Sequence, residues 1–347
     1  GLLIKLRAYP PVADHAAAAP NADTLYTMVW LDVSAEPWVF SIPAMGDRFY
    51  IMPMLSSYNE VFFVAGSRAT GGDAQEYAIT MPGWSGSLPE GVTQVESPTA
   101  LVWILGRVYC SGAEDYEAVH QLQDQFSSVP LSAYGKPYTP PLGVVDETVD
   151  MTTAVRKQVN GLPLEEFFSY LAELLKDNPP KPEDAPIVAE MAEIGIVPGQ
   201  EFDGAKLPML GHKLDPKLAL LELLRDMKGK DPVNGWLYWL SDAGRYGTDY
   251  EQRALVTMIG PGMNFAEDAV YAFSQKDADG KDYDGSEHDY VMRFEKGQMP
   301  PVKGFWSLTM YDPDFFFVPN PLNRYSLSQR DTFVANADGS VDLYLQA

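Results

Sequence analysis

Short apolar runs separated by polar breaks fill the first 110 residues of the chain. The runs are rich in β-branched and aromatic residues, and Gly, Pro, Asp and Asn interrupt them at short intervals, which is typical of strands. The turn Gly46–Arg48 predicts a hairpin between two of these strands. Short strands with frequent turns favour a sandwich or barrel. The predicted strands cover residues 24–33, 38–42, 49–54, 61–64, 76–81 and 100–109.

Beyond Gly112 the apolar residues recur every three or four positions, which is the period of a helix. Strand signals return after Ala269, with the clearest patterns at 290–294, 304–311 and 341–345. The sequence therefore predicts an α+β, multidomain fold, with two β-rich, sandwich- or jelly-roll-like domains joined by a mainly helical segment. The predicted helices cover residues 114–126, 152–159, 164–176, 183–194, 216–228 and 250–259.

Length and charge narrow the classes of protein that fit this pattern. A chain of 347 residues exceeds what one hydrophobic core usually serves, so more than one domain is expected. No apolar run approaches the roughly 18 residues that a transmembrane helix needs. The net charge of −23 opposes binding to nucleic acid or to anionic lipid, because both depend on clustered Lys and Arg.

Metal and cofactor chemistry has little support in the sequence. Cys110 is the only cysteine and the four histidines are scattered, so a tight transition-metal site is not expected. No phosphate-binding loop or dinucleotide fingerprint is present, and no cofactor is predicted. One acidic stretch lacks the glycine that an EF-hand loop requires. A solvated turn is the favoured interpretation, and a calcium site of another kind is the alternative. Its carboxylates are those of Asp277, Asp279, Asp282 and Asp284.

Two segments carry more polar side chains than a structural role requires. Asn21, Asp23, Thr24 and Thr27 stand where a strand begins, and one side chain suffices to brace such a turn. In residues 304–312 hydroxyl-bearing and aromatic residues alternate with apolar ones, which gives the strand one polar face. Such a face is typical of a small-molecule pocket, and the alternative is a strand whose outer face contacts water. We hypothesise that both segments line one interdomain cavity.

Arginine is informative because cations are scarce in this chain. Arg107 lies on an apolar strand, where a buried arginine usually pairs with a carboxylate; the alternative is a clamp for a substrate carboxylate. We favour the buried pair, and we expect Arg324 to offset the charge of Asp23, the candidate acid/base group. The candidate ligand-binding residues are Asn21, Tyr26, Tyr58, Arg107, Trp306, Thr309, Tyr311, Asn323 and Arg324.

At these residues the chain resembles bacterial proteins that combine two domains of unknown function, DUF1254 and DUF1214. The first resemblance covers about residues 9 to 130 and rests on the segments 20–27, 82–84 and 103–107. The second covers about 245 to 346 and rests chiefly on 246–250, 305–312 and 323–325. The matched motifs are numerous and occur in the family's order, so we assign residues 1–130 and 245–347 to the two domains and 131–244 to a helical connection.

The resemblance implies an exported bacterial protein, periplasmic or secreted, with no agreed activity. Such proteins usually begin with a helical stretch and a signal segment, and they continue past Gln346 into further strands; neither pattern is in this sequence. If those segments are absent from the molecule, an exposed sheet edge is expected; if the protein carries them, the fold is intact.

Two functions fit these observations. The first is binding or hydrolysis of a small molecule in a cleft between the β-rich domains. The second is a non-catalytic envelope or interaction protein that assembles into a homo-oligomer.

Overall fold

The computed structural model describes residues 1–12, 19–141, 143, 146–150, 152–153, 155–206, 223, 225, 232–238 and 242–346. Its strands are β1 (Ile4–Lys5), β2 (Thr24–Asp32), β3 (Trp38–Ile42), β4 (Tyr50–Ser56), β5 (Val61–Gly66), β6 (Gln75–Thr80), β7 (Val92–Glu96), β8 (Leu101–Tyr109), β9 (Ser127–Pro130), β10 (Leu237–Tyr238), β11 (Ala272–Phe273), β12 (Tyr290–Phe294), β13 (Ser307–Thr309), β14 (Ser326–Ser328) and β15 (Val341–Leu345). Its α-helices are α1 (Tyr116–Gln125), α2 (Val155–Asn160), α3 (Leu164–Asp177), α4 (Ala185–Glu193) and α5 (Tyr250–Ile259). The predicted helix 216–228 lies outside the described residues, apart from 223 and 225.

A five-stranded antiparallel sheet, in the order β1-β2-β8-β4-β5, forms the centre of the N-terminal part. Strands β2 and β8 pair along nine residues, from Thr24 opposite Tyr109 to Asp32 opposite Leu101. Successive side chains of a strand point to opposite faces, so each strand contributes to an inner and an outer face. Val29 of β2 and Ile104 of β8 point inward and are fully buried.

The inner face packs on a second sheet, ordered β7-β6-β3-β9. Phe40 of β3 and Ile79 of β6 join Val29 and Ile104 in one core, which confirms the predicted sandwich. The predicted hairpin at Gly46–Arg48 is wrong, because β3 pairs with β6 and β9 while β4 belongs to the other sheet. That turn connects the two layers instead.

The outer face of the five-stranded sheet is covered on one side by the C-terminal half of the chain. Phe265 packs on Leu105 and Ile51 in a second buried cluster. The ring of Phe305 contacts the rings of Phe49 and Tyr109, with centroids 5.4 Å and 4.9 Å away. The region between the two β-rich parts is therefore a packed interface on strands β8, β4 and β5.

Several of the other predicted helices and strands are confirmed, and one predicted strand is too long. Helices α3 and α5 and strands β12 and β15 lie where the sequence places them. The strand predicted over 304–311 is wrong in length, since β13 pairs with β14 over only three residues. The described residues form two β-rich regions flanking a helical middle, as expected for the α+β class.

Candidate functional site

Asp23 lies at the contact between the two β-rich parts. Its carboxylate accepts a hydrogen bond from Arg330, with Arg330 Nη1 2.9 Å from Asp23 Oδ1. The hydroxyl of Ser326 donates to the same oxygen at 3.5 Å, and Ser307 adds a third hydrogen bond. Asn21 braces the turn beneath it by accepting the backbone N–H groups of Asp23 and Thr24. The two motifs singled out in the sequence are thus in contact.

The electrostatics of this contact are those of a buried ion pair. Asp23 is 3% exposed. Burial raises the pKa of the Asp23 carboxyl, against the lowering effect of the hydrogen bonds from Ser307, Arg330 and Ser326 and of the charge of Arg330. The pKa of Arg330 is raised: burial opposes its charge, but the Asp23 carboxylate outweighs that cost. The pair costs desolvation energy, and removal of either partner would leave a charge without compensation.

The expectation that Arg324 offsets Asp23 is wrong. Arg330 takes that position, and it also donates to the carbonyl oxygens of Ala22 and Cys110. Arg324 is exposed, and within the described residues its contacts run through its backbone to Asn320. A β-turn after β14 brings Arg330 back to Ser326. The sequence pattern does not predict this return of the chain.

A row of phenolic side chains extends from Asp23 across the outer face. The hydroxyl of Tyr311 donates to the carbonyl oxygen of Pro20 at 2.9 Å. Burial raises the pKa of Tyr311 to about 12, and the nearby Asp23 and Tyr26 add to the rise. Tyr26 in turn lies directly opposite Arg107 in the β2–β8 pair. Arg107 Nε donates to the Tyr26 hydroxyl at 3.3 Å, and the guanidinium carbon lies 5.3 Å from the centre of the Tyr26 ring.

Arg107 contradicts the favoured expectation of a buried carboxylate pair. Among the described residues no carboxylate forms an ion pair with it. Its Nη2 donates to the Gly262 carbonyl oxygen at 3.5 Å, which is long for a hydrogen bond, and its Nη1 is shielded from solvent without a partner. Burial opposes the charge, yet the neighbouring Tyr26 and Tyr271 raise the pKa of Arg107, so the guanidinium stays charged.

The far side of Arg107 holds two further polar residues that the sequence did not single out. Tyr271 helps to raise the pKa of Arg107, and the Tyr271 hydroxyl accepts a hydrogen bond from Asn264 Nδ2 at 2.7 Å. Asn264 is 2% exposed, and its Oδ1 has no hydrogen-bond partner. Buried polar atoms are normally paired, so a free acceptor and a free Arg107 donor in one neighbourhood are unusual.

Other candidate residues have structural contacts elsewhere. The hydroxyl of Tyr58 donates to the Asn178 carbonyl oxygen at 2.7 Å, at the end of α3. The ring of Trp306 packs between Phe294 and Phe333. Asn323 accepts a hydrogen bond from Tyr325 at the exposed surface, whereas Thr309 bonds to Tyr311 and stays with the interface group. The structure therefore brings together Asp23, Tyr26, Arg107, Thr309 and Tyr311.

The carboxylates of the acidic stretch near residue 280 bond to neighbouring groups of the chain. Asp277 accepts the backbone N–H groups of Asp279 and Lys281, and Asp282 pairs with Lys276. Asp284 caps the turn at Ser286. In the described part of the chain, no group of three His, Cys, Asp or Glu side chains has the geometry to hold a metal ion.

Two open clefts lie away from this interface group. One, of about 500 Å³, is bordered by Glu60, Lys181 and Arg245, and the other, of about 360 Å³, is bordered by Gln75 and Glu76. In the larger cleft the Glu60 carboxylate already pairs with Lys181 and accepts the Gly247 N–H group. Since the Glu60 and Lys181 charges there already pair with each other, the free donor of Arg107 marks the stronger candidate site. None of the described helices is long and apolar enough to cross a membrane.

Comparison with known families places the chain in a class. The model of DUF1254, a protein of unknown function, matches residues 3–130, and that of DUF1214, also of unknown function, matches residues 268–347. The chain belongs to the proteins that combine these two domains. The anchors expected at 246–254 lie before the second match, and export and oligomer formation stay predictions.

A solved structure shares the fold over nearly the whole chain. The crystal structure of the VPA0106 protein from Vibrio parahaemolyticus is 24% identical, with a TM-score of 0.68, and the match covers 98% of this chain and 80% of that one. No curated protein matches the chain.

Proposed function

We propose that this protein binds a small organic anion on the outer face of the five-stranded sheet, with Arg107 as the anion clamp. The observation that supports the proposal is the partly buried guanidinium of Arg107, which has no carboxylate partner among the described residues and a free Nη1. A buried donor without an acceptor costs folding free energy, so a ligand that supplies the acceptor missing at Nη1 gains that energy on binding.

A carboxylate suits this position better than a neutral acceptor. Arginine presents parallel N–H groups that match the two oxygens of a carboxylate. The ligand would replace the long contact of Nη2 with the Gly262 carbonyl and take Nη1 as its second donor. Tyr26 and Tyr271 add hydroxyl groups beside it. Because the net charge of −23 repels anions at a distance, the attraction must be local.

Binding fits the site better than hydrolysis. The candidate acid/base group, Asp23, is buried and already engaged by Arg330, Ser326 and Ser307. A general base must lie within reach of a water or substrate proton, and these partners occupy the carboxylate. Asp23 therefore acts in this proposal as the anchor between the two β-rich parts.

A thermal-shift screen of organic monocarboxylates tests the proposal. The unfolding temperature of the wild-type protein should rise with at least one of them, because a ligand at 100 times its dissociation constant adds about 2.7 kcal/mol of stability. In the Arg107→Gln variant the same compounds should give no shift. The Arg324→Gln variant is the matched control, since it removes the same charge at an exposed position and should respond like the wild type. Equal shifts in the wild type and in Arg107→Gln would contradict the proposal.

A further inference from the structure

Exposed apolar side chains lie on β1, on β2 and at the start of the chain, beside the sheet that carries Arg107. Leu2 is 62% exposed, Ile4 45% and Trp30 48%. Ile4 lies opposite Met28 in the β1–β2 pair, and Met28 packs on the outer cluster, which fixes the face to which Ile4 points. Single exposed apolar residues are common on protein surfaces, but a contiguous group on one sheet face points to an interaction.

The strand register orders this face along its length. Tyr26 is opposite Arg107, and Trp30 is opposite Trp103, four residues further along both strands. At the rise of a strand, four residues span about 13 Å. The cation and the paired tryptophans therefore mark the two ends of one strip, which we call the β2–β8 strip and which includes Tyr26, Met28, Trp30, Trp103, Leu105 and Arg107.

The tryptophan end of the strip is a stacked pair of aromatic rings. The rings of Trp30 and Trp103 are stacked, with centroids 4.9 Å apart and planes 3° from parallel. Trp30 keeps nearly half of its surface exposed. A rigid aromatic surface of this kind offers contact area to an apolar ligand at little cost in side-chain entropy.

The C-terminal half covers this sheet face unevenly. Phe265 shares a buried cluster with Leu105 and Ile51, and the Phe305 ring contacts the rings of Phe49 and Tyr109. The exposed residues, by contrast, belong to β1 and β2 or to the segment that leads into β1. On the β2 side of the strip, Trp30 is exposed and Tyr26 and Met28 are half-buried, whereas Leu105 on β8 is covered.

We propose that the ligand is an extended apolar monocarboxylate, with its carboxylate on Arg107 and its hydrocarbon chain along the β2–β8 strip over Trp30. This inference rests on the proposed function, because it uses the same clamp. Charge complementarity selects the occupant: a wholly apolar partner, such as a second copy of this sheet face, would leave the guanidinium without its anion.

A series of straight-chain carboxylates tests the inference. Butyrate, octanoate and dodecanoate are titrated below their micelle concentrations, with calorimetry as the readout and dodecanol as the uncharged probe. Each methylene that reaches the strip should strengthen binding about two- to fourfold, the latter being the effect of a fully buried CH₂. Dodecanoate should bind far more tightly than butyrate, and dodecanol should bind more weakly than dodecanoate.

The Trp30→Ala variant separates the chain from the head group. Because Trp30 is half exposed, the variant should fold, and circular dichroism checks this. It should bind butyrate like the wild type but lose most of the gain with chain length. Tyr344→Ala is the matched control, since Tyr344 is an aromatic residue of similar exposure, 58%, on strand β15, which belongs to a different sheet. Its affinities should equal those of the wild type.

Each outcome decides one of the two proposals. If butyrate and dodecanoate bind equally well and both depend on Arg107, the ligand class proposed here is wrong and the anion clamp stands. If no carboxylate binds in an Arg107-dependent way, both are wrong. If carboxylates fail to bind while Trp30→Ala converts an oligomer into a monomer, the strip is a contact between copies of this chain, and the inference is overturned.

Discussion

Replacing Arg330 with Met should lower the free energy of unfolding by about 3 kcal/mol at neutral pH. The substitution keeps an apolar stem but removes the partner of a carboxylate that is 3% exposed. It also removes the donors to the Ala22 and Cys110 carbonyl oxygens. Because these contacts join the C-terminal half to the start of β2, urea unfolding should show the loss in both parts of the chain.

The loss of stability in the Arg330→Met variant should grow as the pH rises. Burial already raises the pKa of Asp23 above its ordinary value, and loss of Arg330 removes an effect that lowers it. In the folded Arg330→Met variant, the Asp23 carboxyl therefore binds a proton more readily than it does in the unfolded chain. Stability is therefore retained below the unfolded pKa and is lost as the pH rises through the folded pKa. The Arg330→Met deficit should be small near pH 4 and reach its full size near neutral pH.

A double variant distinguishes the lost charge partner from simple loss of packing. Asp23→Asn combined with Arg330→Met removes both charges and should recover much of the stability. Arg324→Met removes an exposed arginine from the same region and should change the free energy of unfolding by less than about 0.5 kcal/mol. A deficit of Arg330→Met that is independent of pH and equal in the double variant would show that Asp23 and Arg330 do not act as a pair.

Replacing Gly106 with Ala should cost about 2 to 3 kcal/mol. Gly106 lies opposite Thr27 in the β2–β8 pair. A Cβ atom there would lie 2.5 Å from the Thr27 carbonyl oxygen and still closer to the sulfur of Met52. Since the carbonyl belongs to a central strand, β8 would have to shift, and Arg107 would shift with it. Urea unfolding measures the loss, and carboxylate affinity should fall as well.

Gly285 provides the control for this prediction. It is exposed, and a Cβ atom built on it has no neighbour within 4 Å. Gly285→Ala should leave the stability unchanged or raise it slightly, because alanine restricts the unfolded chain. Equal stabilities of the two alanine variants would refute the close approach of Gly106 to β2.

The strands of the sandwich could be predicted from the sequence because successive side chains alternate between the core and the outer face. The run at 24–33 alternates inward and outward residues, and β2 follows it closely. Pairing is not local, so the sequence pattern did not show that β3 joins β6 and β9 rather than β4. It likewise missed β7, whose parallel partner β6 is reached through a turn-rich segment.

The contact between Asp23 and the 304–312 segment followed from an excess of polar groups in both motifs. Buried hydroxyls and carboxylates need partners, and here they find one another. The choice between Arg324 and Arg330 depends on how the chain returns after β14, which residue types do not encode. The free Nη1 of Arg107 could not be predicted either, because the expectation of a carboxylate partner comes from buried arginines in general and not from this strand.

The most direct test of the anion clamp is a crystal structure of the protein soaked with dodecanoate that carries a terminal bromine. The account predicts carboxylate oxygens at about 2.7–2.9 Å from Arg107 Nη1 and Nη2, and anomalous bromine signal over the Trp30–Trp103 pair. A bromine signal in the cleft beside Glu60, with Arg107 still bonded to the Gly262 carbonyl, would contradict it.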